Sequence, residues 1–148
     1  MKLTINTDTQ YTETEITVNC RHMNRDIEKL IALIRMLDMK MLGLKDNQEH
    51  IIEINDIIYI ESNDKLTFIY TLTNTYESPF KLYELEGKLT AMDFIRINRN
   101  CLININYIKS IETEFNSRLI LTMPKDIKLI VSRQYASEIK RKLEVYHV

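Results

Sequence analysis

The sequence predicts an α+β fold that is mainly β with short helices, and three observations carry that prediction. Strand-length runs rich in Ile, Leu, Val, Tyr and Thr recur from residue 42 to residue 131, most of them bounded by Asn, Asp, Ser or Pro. Three stretches place apolar residues at helical spacing instead. The size, 148 residues with 45% hydrophobic and 28% charged, suits one globular domain, or one domain with a short appendage.

Residues 1–40 read as a ββα extension, and residues 41–148 as the main domain. Lys2-Leu3-Thr4-Ile5-Asn6 and Glu15-Ile16-Thr17-Val18-Asn19 alternate polar with apolar, which predicts two short strands joined by a polar connection. Asn24 is then a candidate N-cap with Asp26 in the first turn, and Ile27, Leu30, Ile31, Ile34 and Leu37 follow at helical spacing. Leu33 and Met36 widen this stripe. Its simplest use is to cover a sheet of the same chain, and its width also suits a second subunit.

The main domain opens with Leu42-Gly43-Leu44 and Ile51-Ile52-Glu53-Ile54 around the polar run of residues 45–50, a predicted hairpin. Further strands are predicted at residues 57–61, 66–72, 75–77, 103–111, 119–122 and 128–131. Leu82, Leu85 and Leu89 share one face of a short helix despite Gly87, which costs about 1 kcal/mol relative to Ala. Ser132 is positioned to cap a last helix with Tyr135, Ile139, Leu143 and Tyr146 inward and Lys140, Arg141 and Lys142 near its C-terminal end.

Several function classes are disfavoured. The formal charge is −1, so any polyanion partner requires the cations to be gathered on one edge. The longest uncharged apolar runs, residues 57–60 and 129–131, are strand-sized, so no membrane insertion is expected. The first residues lack the pattern of a secretory signal, which makes the cytoplasm the expected location. Cys20 and Cys101 lie far apart and are expected to be reduced and partly buried rather than paired or zinc-bound. Cys20-Arg21-His22 is the one place where Cys and His come close in sequence, while His50 and His147 fall in a turn and at the tail. With Gly43 and Gly87 as the sole glycines, no Gly-rich phosphate loop exists. Catalysis, a cofactor and a metal site are therefore not expected.

Three loop-like places suit a polynucleotide better. Ser62-Asn63-Asp64-Lys65 with Thr67 offers amide, hydroxyl and ammonium groups after an apolar strand. Arg96-Ile97-Asn98-Arg99-Asn100 combines two residue types that read base edges, arginine on guanine and asparagine on adenine. Val131-Ser132-Arg133-Gln134 sets an arginine at a helix start, where free amides attract phosphate. Each has an ordinary alternative: a solvated turn, side chains that satisfy backbone at a strand crossing, and a common helix cap.

Taken in order, these segments resemble a known family. Ile57-Ile58-Tyr59-Ile60-Glu61-Ser62, then Leu85-Glu86 and Leu89, then Phe94 to Asn104 with Tyr107-Ile108 and Ser110-Ile111, then Val131-Ser132-Arg133-Gln134-Tyr135, are similar to the LytTR family of bacterial DNA-binding domains over residues 41–143. The resemblance implies elongated antiparallel sheets that send loops into successive grooves of double-stranded DNA. It implies DNA contacts by Asn63, Lys65 and Thr67, by Arg99 and Asn100, and by Arg133 and Gln134, with Lys109 as a phosphate contact. Lys65, Arg99, Lys109 and Arg133 are then expected on one common edge. Asn98-Arg99-Asn100 stands where many members have His-Arg-Ser, and Thr67 where some have His, so the DNA half-site is expected to differ.

The resemblance further implies a transcription regulator that binds repeated half-sites as a homodimer. Most members carry a receiver domain, and residues 1–40 are too short to be one. They resemble the extension of stand-alone regulators, which implies a dimerisation or regulatory role and a membrane-protein inhibitor as a further partner. The competing reading is a protein-interaction module whose first helix binds such a partner, with DNA contact secondary.

Overall fold

Two antiparallel sheets and three helices make up the fold in the computed structural model, which describes residues 1–145. The larger sheet contains β1 (Lys40–Lys45), β2 (Gln48–Glu53), β3 (Ile57–Asn63), β4 (Leu66–Thr71), β5 (Thr75–Ser78), β6 (Phe94–Asn98) and β7 (Cys101–Asn104), in the order β2-β1-β5-β4-β3-β7-β6. The smaller contains β8 (Ser110–Thr113), β9 (Leu119–Met123) and β10 (Ile127–Val131) in the order β10-β9-β8. The helices are α1 (Arg25–Met36), α2 (Leu82–Leu89) and α3 (Arg133–Val145).

The pleat of the large sheet divides its apolar residues between two cores. Ile57, Ile60, Phe94 and Leu102 face one side with Leu82, Leu85 and Leu89 of α2. Ile58, Ile95, Ile97, Cys101 and Ile103 face the other, against Leu119, Leu121 and Val131 of the small sheet and Ala136 and Ile139 of α3. A break in the β3–β4 register between Ile57 and Tyr59 lets two consecutive residues of β3, Ile58 and Tyr59, serve the same face. Strands β3, β6 and β7 are thus covered on both sides, which explains their nearly unbroken runs of apolar residues.

Local chemistry sets the turns. Asp46-Asn47 and Asp64-Lys65 each link a hairpin with both residues at positive φ, 52° and 60° in the first and 49° and 69° in the second. Paired left-handed residues match the right-handed twist of the strands they join, and after glycine Asn and Asp tolerate that conformation best. The first hairpin turn is accordingly tighter than the polar run of residues 45–50 suggests. Gly43 answers a packing need, because a Cβ there would lie 2.4 Å from Ile52 Cδ1 and 2.7 Å from Tyr76 Cβ.

The structure departs from the sequence-based expectations at several places. Residues 1–24 contain no strand: their alternating segments are exposed and find no partner to supply the ladder. Phe94–Asn98 is a strand rather than a loop, since its apolar residues divide between the two cores. The stretch of residues 103–111 is not one strand. Asn104 accepts a hydrogen bond at Oδ1 from the Asn106 N–H (3.1 Å), and a 3-10 turn over Ile105–Tyr107 separates β7 from β8. Cys20 is exposed, while Cys101 is buried. The proposed inward position of Tyr146, and His147, lie outside the described residues.

Helix α1 begins as expected, with Asn24 Oδ1 accepting from the Ile27 N–H at 3.0 Å. Its orientation is the surprise. Ala32 and Met36 enter the core, Arg25 Nη2 donates to the Pro79 carbonyl (3.1 Å), and Lys29 pairs with Glu84 (3.5 Å). At 3.6 residues per turn most of the stripe of Ile27, Leu30, Ile31, Ile34 and Leu37 falls on the other side. Among the described residues, Tyr76 and Met92 are the partly buried apolar side chains packed on this core, and no member of the stripe joins them. Leu37 at the end of the stripe and the neighbouring Leu33 are 79% and 42% exposed, while Ile27, Leu30, Ile31 and Ile34 are half-buried.

Candidate nucleic-acid interface

Three segments distant in sequence meet at one end of the large sheet, here called the tip end. The β3–β4 turn, Asn63 to Leu66, closes one hairpin, and Arg99-Asn100 closes the β6–β7 hairpin. Strands β3 and β7 are neighbours, and the ladder continues into the turn: the Ser62 N–H donates to the Asn100 carbonyl at 2.8 Å. The third segment, the β10–α3 junction, is tied in by the Ser132 N–H donating to the Ile97 carbonyl (3.0 Å). Asn98 Nδ2 donates to the Ile130 carbonyl (2.9 Å) across the same seam.

Side chains hold this end in shape. Asn98 also accepts from the Asn100 N–H at 2.8 Å, so its amide serves both the turn and the seam. Arg96 donates from Nε to the Asn98 carbonyl (3.0 Å), from Nη2 to the Arg99 carbonyl, and pairs through Nη1 with Glu86 at 2.5 Å. Both residues satisfy backbone at the strand crossing, the ordinary alternative for this motif. They leave Arg99 and Asn100 exposed at the outermost point of the hairpin.

Asn63, Lys65, Arg99, Asn100, Arg133 and Gln134 are all exposed, and the structure brings them together at the tip end. Two expected contacts do not join them. Thr67 is 3% exposed, because it sits one step inside the turn on β4, between Ser62 of β3 and Ser78 of β5. Lys109 is exposed at the opposite end. The chain leaves β7 away from the tips, and the Lys109 N–H bonds the Thr122 carbonyl, whereas Val131 pairs with Leu119 at the other end of the small sheet. Strand β3 spans the gap between the two ends, roughly 20 Å at about 3.3 Å per residue. The common edge therefore holds Lys65, Arg99 and Arg133, without Lys109.

Two cations escape the sequence reading. Lys81 is exposed and donates from Nζ to the Lys65 carbonyl at 2.9 Å, which places it under the β3–β4 turn. Arg118 is exposed where the β8–β9 turn closes, immediately before the Leu119–Val131 pair, and so stands beside Ser132. The Asn116-Ser117-Arg118 turn shows the same polar-plus-cation pattern as the other tips, a usable signal for Arg118. Lys81 follows Pro79-Phe80 at a helix start, where nothing local marks it.

Beneath the tips lie two buried ionisable side chains, Cys101 of β7 and Tyr59 of β3. Burial, reinforced by Glu61 and opposed by Arg96, pushes the Cys101 thiol well above its usual range. The Tyr59 hydroxyl is pushed up to about 12 by burial and then by Tyr70, Glu61 and Cys101, and its ring stacks on Tyr70 at 4.3 Å. Neither group charges near neutrality, and the charged side chains beside them are Glu61 and Arg96. Two clefts of about 360 and 450 Å³ lie away from the tips, one lined by Asp56, Thr71, Tyr76 and Tyr107 and the other by Ile105, Lys109 and Leu143. Among the described residues, no helix is long and apolar enough to cross a membrane, and no His/Cys/Asp/Glu group is arranged to hold a metal ion.

Comparison with known proteins agrees with this geometry. The LytTr DNA-binding domain family matches residues 47–144. The chain is 35% identical over 99 residues to the transcriptional regulatory protein YpdB of Escherichia coli K12, covering 66% of this chain and 41% of that protein. It is 32% identical over 132 residues to the sensory transduction protein LytT of Bacillus cereus, covering 89% of this chain and 46% of that one. The chain thus matches less than half the length of these relatives. A LytTr DNA-binding domain of a Bacillus cereus response regulator superposes with a TM-score of 0.67 at 27% identity, over 71% of this chain and 96% of that one. With the family matched across both sheets and all three tip segments, the chain belongs to the LytTr DNA-binding domain family.

Proposed function

We propose that this protein is a sequence-specific transcription regulator that inserts the turns of its tip end into successive grooves of repeated DNA half-sites as a homodimer. The observation that carries the reading is the convergence of the β3–β4 turn, the β6–β7 turn and the β10–α3 junction, joined by Ser62–Asn100, Ser132–Ile97 and Asn98–Ile130 bonds. At about 4.8 Å between strands, the two hairpins stand roughly 10 Å apart, with the junction beyond β6. That row is broad enough for one major groove, about 12 Å wide, and its edge.

Roles follow from chemistry. Arg99 and Arg133 are the base readers, through bidentate pairing with guanine O6 and N7. Asn63, Asn100 and Gln134 add amide donors and acceptors. Lys65, Lys81 and Arg118 set the register on phosphate, and the start of α3 adds free backbone amides. The bulk charge of −1 makes attraction local to this end, so affinity depends steeply on salt. Cytoplasmic location belongs to the same reading.

Selection of bound sequences from a random DNA pool by the purified protein tests this. Enrichment of a pair of spaced motifs is the expected outcome, and no enrichment overturns the reading. The competing role, a module that binds a membrane-protein inhibitor through residues 1–40, is favoured by the exposed Leu33 and Leu37 of α1. It prevails if the chain ignores DNA and captures such a protein.

A further inference from the structure

We infer that Phe115, at the apex of the β8–β9 turn, is a specificity-determining residue of the DNA interface, its ring packing against the C5-methyl group of a thymine beside the base pair that Arg133 reads. The inference rests on the DNA reading above and adds to it a fourth contact segment with a base preference of its own. Of the four phenylalanines, Phe80 and Phe94 lie in the core and Phe68 is half-buried, whereas Phe115 is 111% exposed, its ring left wholly in solvent. A solitary exposed apolar side chain is ordinary on a protein surface. What sets this one apart is where the fold holds it.

The turn is built to present that side chain. The Glu114 N–H donates to the Arg118 carbonyl (2.8 Å), and the Ser117 N–H donates to the Glu114 carbonyl (3.3 Å), with Ser117 at φ 66°. This is a three-residue hairpin loop, a β-turn closed by a left-handed residue, and it puts Phe115 and Asn116 at its outermost point. Leu119, next to Arg118, pairs with Val131 on one side and Thr113 on the other, and Val131 leads into Ser132, whose N–H is bonded to the Ile97 carbonyl. The turn therefore lies at the tip end. Because β9 separates β8 from β10, it stands one to two strand spacings, roughly 5–10 Å, from the junction that carries Arg133. Its legs bear opposite charges, Glu114 and Arg118, and its apex bears none. An uncharged apex gains nothing from phosphate. The major groove offers one apolar group, the thymine methyl, and phenylalanine is among the side chains that pack on it.

The test is a fluorescence anisotropy titration of the full chain on the duplex that carries the motif pair enriched from the random pool. Each thymine is replaced in turn by uracil, which deletes the methyl group and keeps the base pairing. One thymine in each half-site, next to the position where Arg133→Ala relaxes preference, is expected to cost about fourfold in affinity when replaced, the worth of one buried methyl-sized group. Phe115→Ala should bind the parent duplex at least about fourfold more weakly and show no response to uracil at that position. Its salt dependence and melting curve should match those of the native chain, because the side chain is uncharged and packs on nothing in the fold. Phe115→Leu, apolar but smaller, should keep part of the response. A Phe115→Ala protein that binds the parent duplex as tightly as the native chain, or that stays as sensitive to uracil, overturns the inference and leaves the DNA reading standing. A pool that yields no motif overturns both.

Discussion

The two ends of the large sheet are fastened in the same way and left with different surfaces. At the root end Asn104 Nδ2 donates to the Ile57 carbonyl (3.0 Å), the Tyr107 hydroxyl to the Asn55 carbonyl (2.7 Å), and Lys40 pairs with Glu53. At the tip end Asn98 and Arg96 do the equivalent work. The difference lies in the neighbours. Residues flanking the tip fasteners are exposed cations and amides on tight turns, Lys65, Arg99, Asn100 and Arg133. One set of side chains makes the backbone rigid so that another set, one position away, can face a partner already oriented.

Substitutions can break that contrast. Arg133→Ala is expected to have the largest effect, a loss of about 1–3 kcal/mol in specific DNA binding with relaxed preference at one base pair. A fluorescence anisotropy titration against matched and mismatched duplexes would measure it, and unchanged affinity would remove Arg133 from the site. Asn98→Ala attacks the fastener instead. It should lower folding stability by about 1 kcal/mol, read by urea denaturation, and weaken DNA binding although Asn98 need not touch DNA.

Finer changes sharpen the contrast. Lys65→Gly should move stability and binding in opposite directions. A left-handed residue at φ 69° becomes glycine and stability holds or rises by up to about 1 kcal/mol, while affinity falls alike for all sequences and the salt dependence loses about one ion. Lys109→Ala, at the root end, should leave both quantities within about 0.5 kcal/mol. If it weakens binding as much as Lys65→Gly, the division between the ends fails.

Most of the fold was legible because alternating apolar residues and Asn-Asp turns obey local rules. The strands of the β1–β2 and β3–β4 hairpins, and α2, stand close to where periodicity puts them. The failures share a cause, since each depends on what lies opposite. The first two alternating segments had the right pattern but no neighbour to pair with. Strand β6 concealed itself because both faces are buried. Helix α1 shows a strong stripe, yet the small Ala32 and flexible Met36 fit the domain, and no single-chain pattern says which face wins.

The site was legible in composition and only partly in position. The exposed tips Lys65, Arg99 and Arg133 follow from the polar turns and from the family resemblance. Thr67 is excluded by one residue of register, because sheet alternation turned its side chain inward. Lys109 is excluded by chain direction, and Lys81 enters through a contact between residues 16 apart. Register, direction and cross-strand neighbours belong to the assembled sheet rather than to any segment read alone.

Because β3 meets β7 and Ile97 meets Ser132, no tip is complete until a stretch beginning before residue 60 and ending beyond residue 132 has assembled. During synthesis on the ribosome the emerging polypeptide therefore lacks the assembled tip end until α3 is released, and a message truncated upstream of that helix yields a product without it.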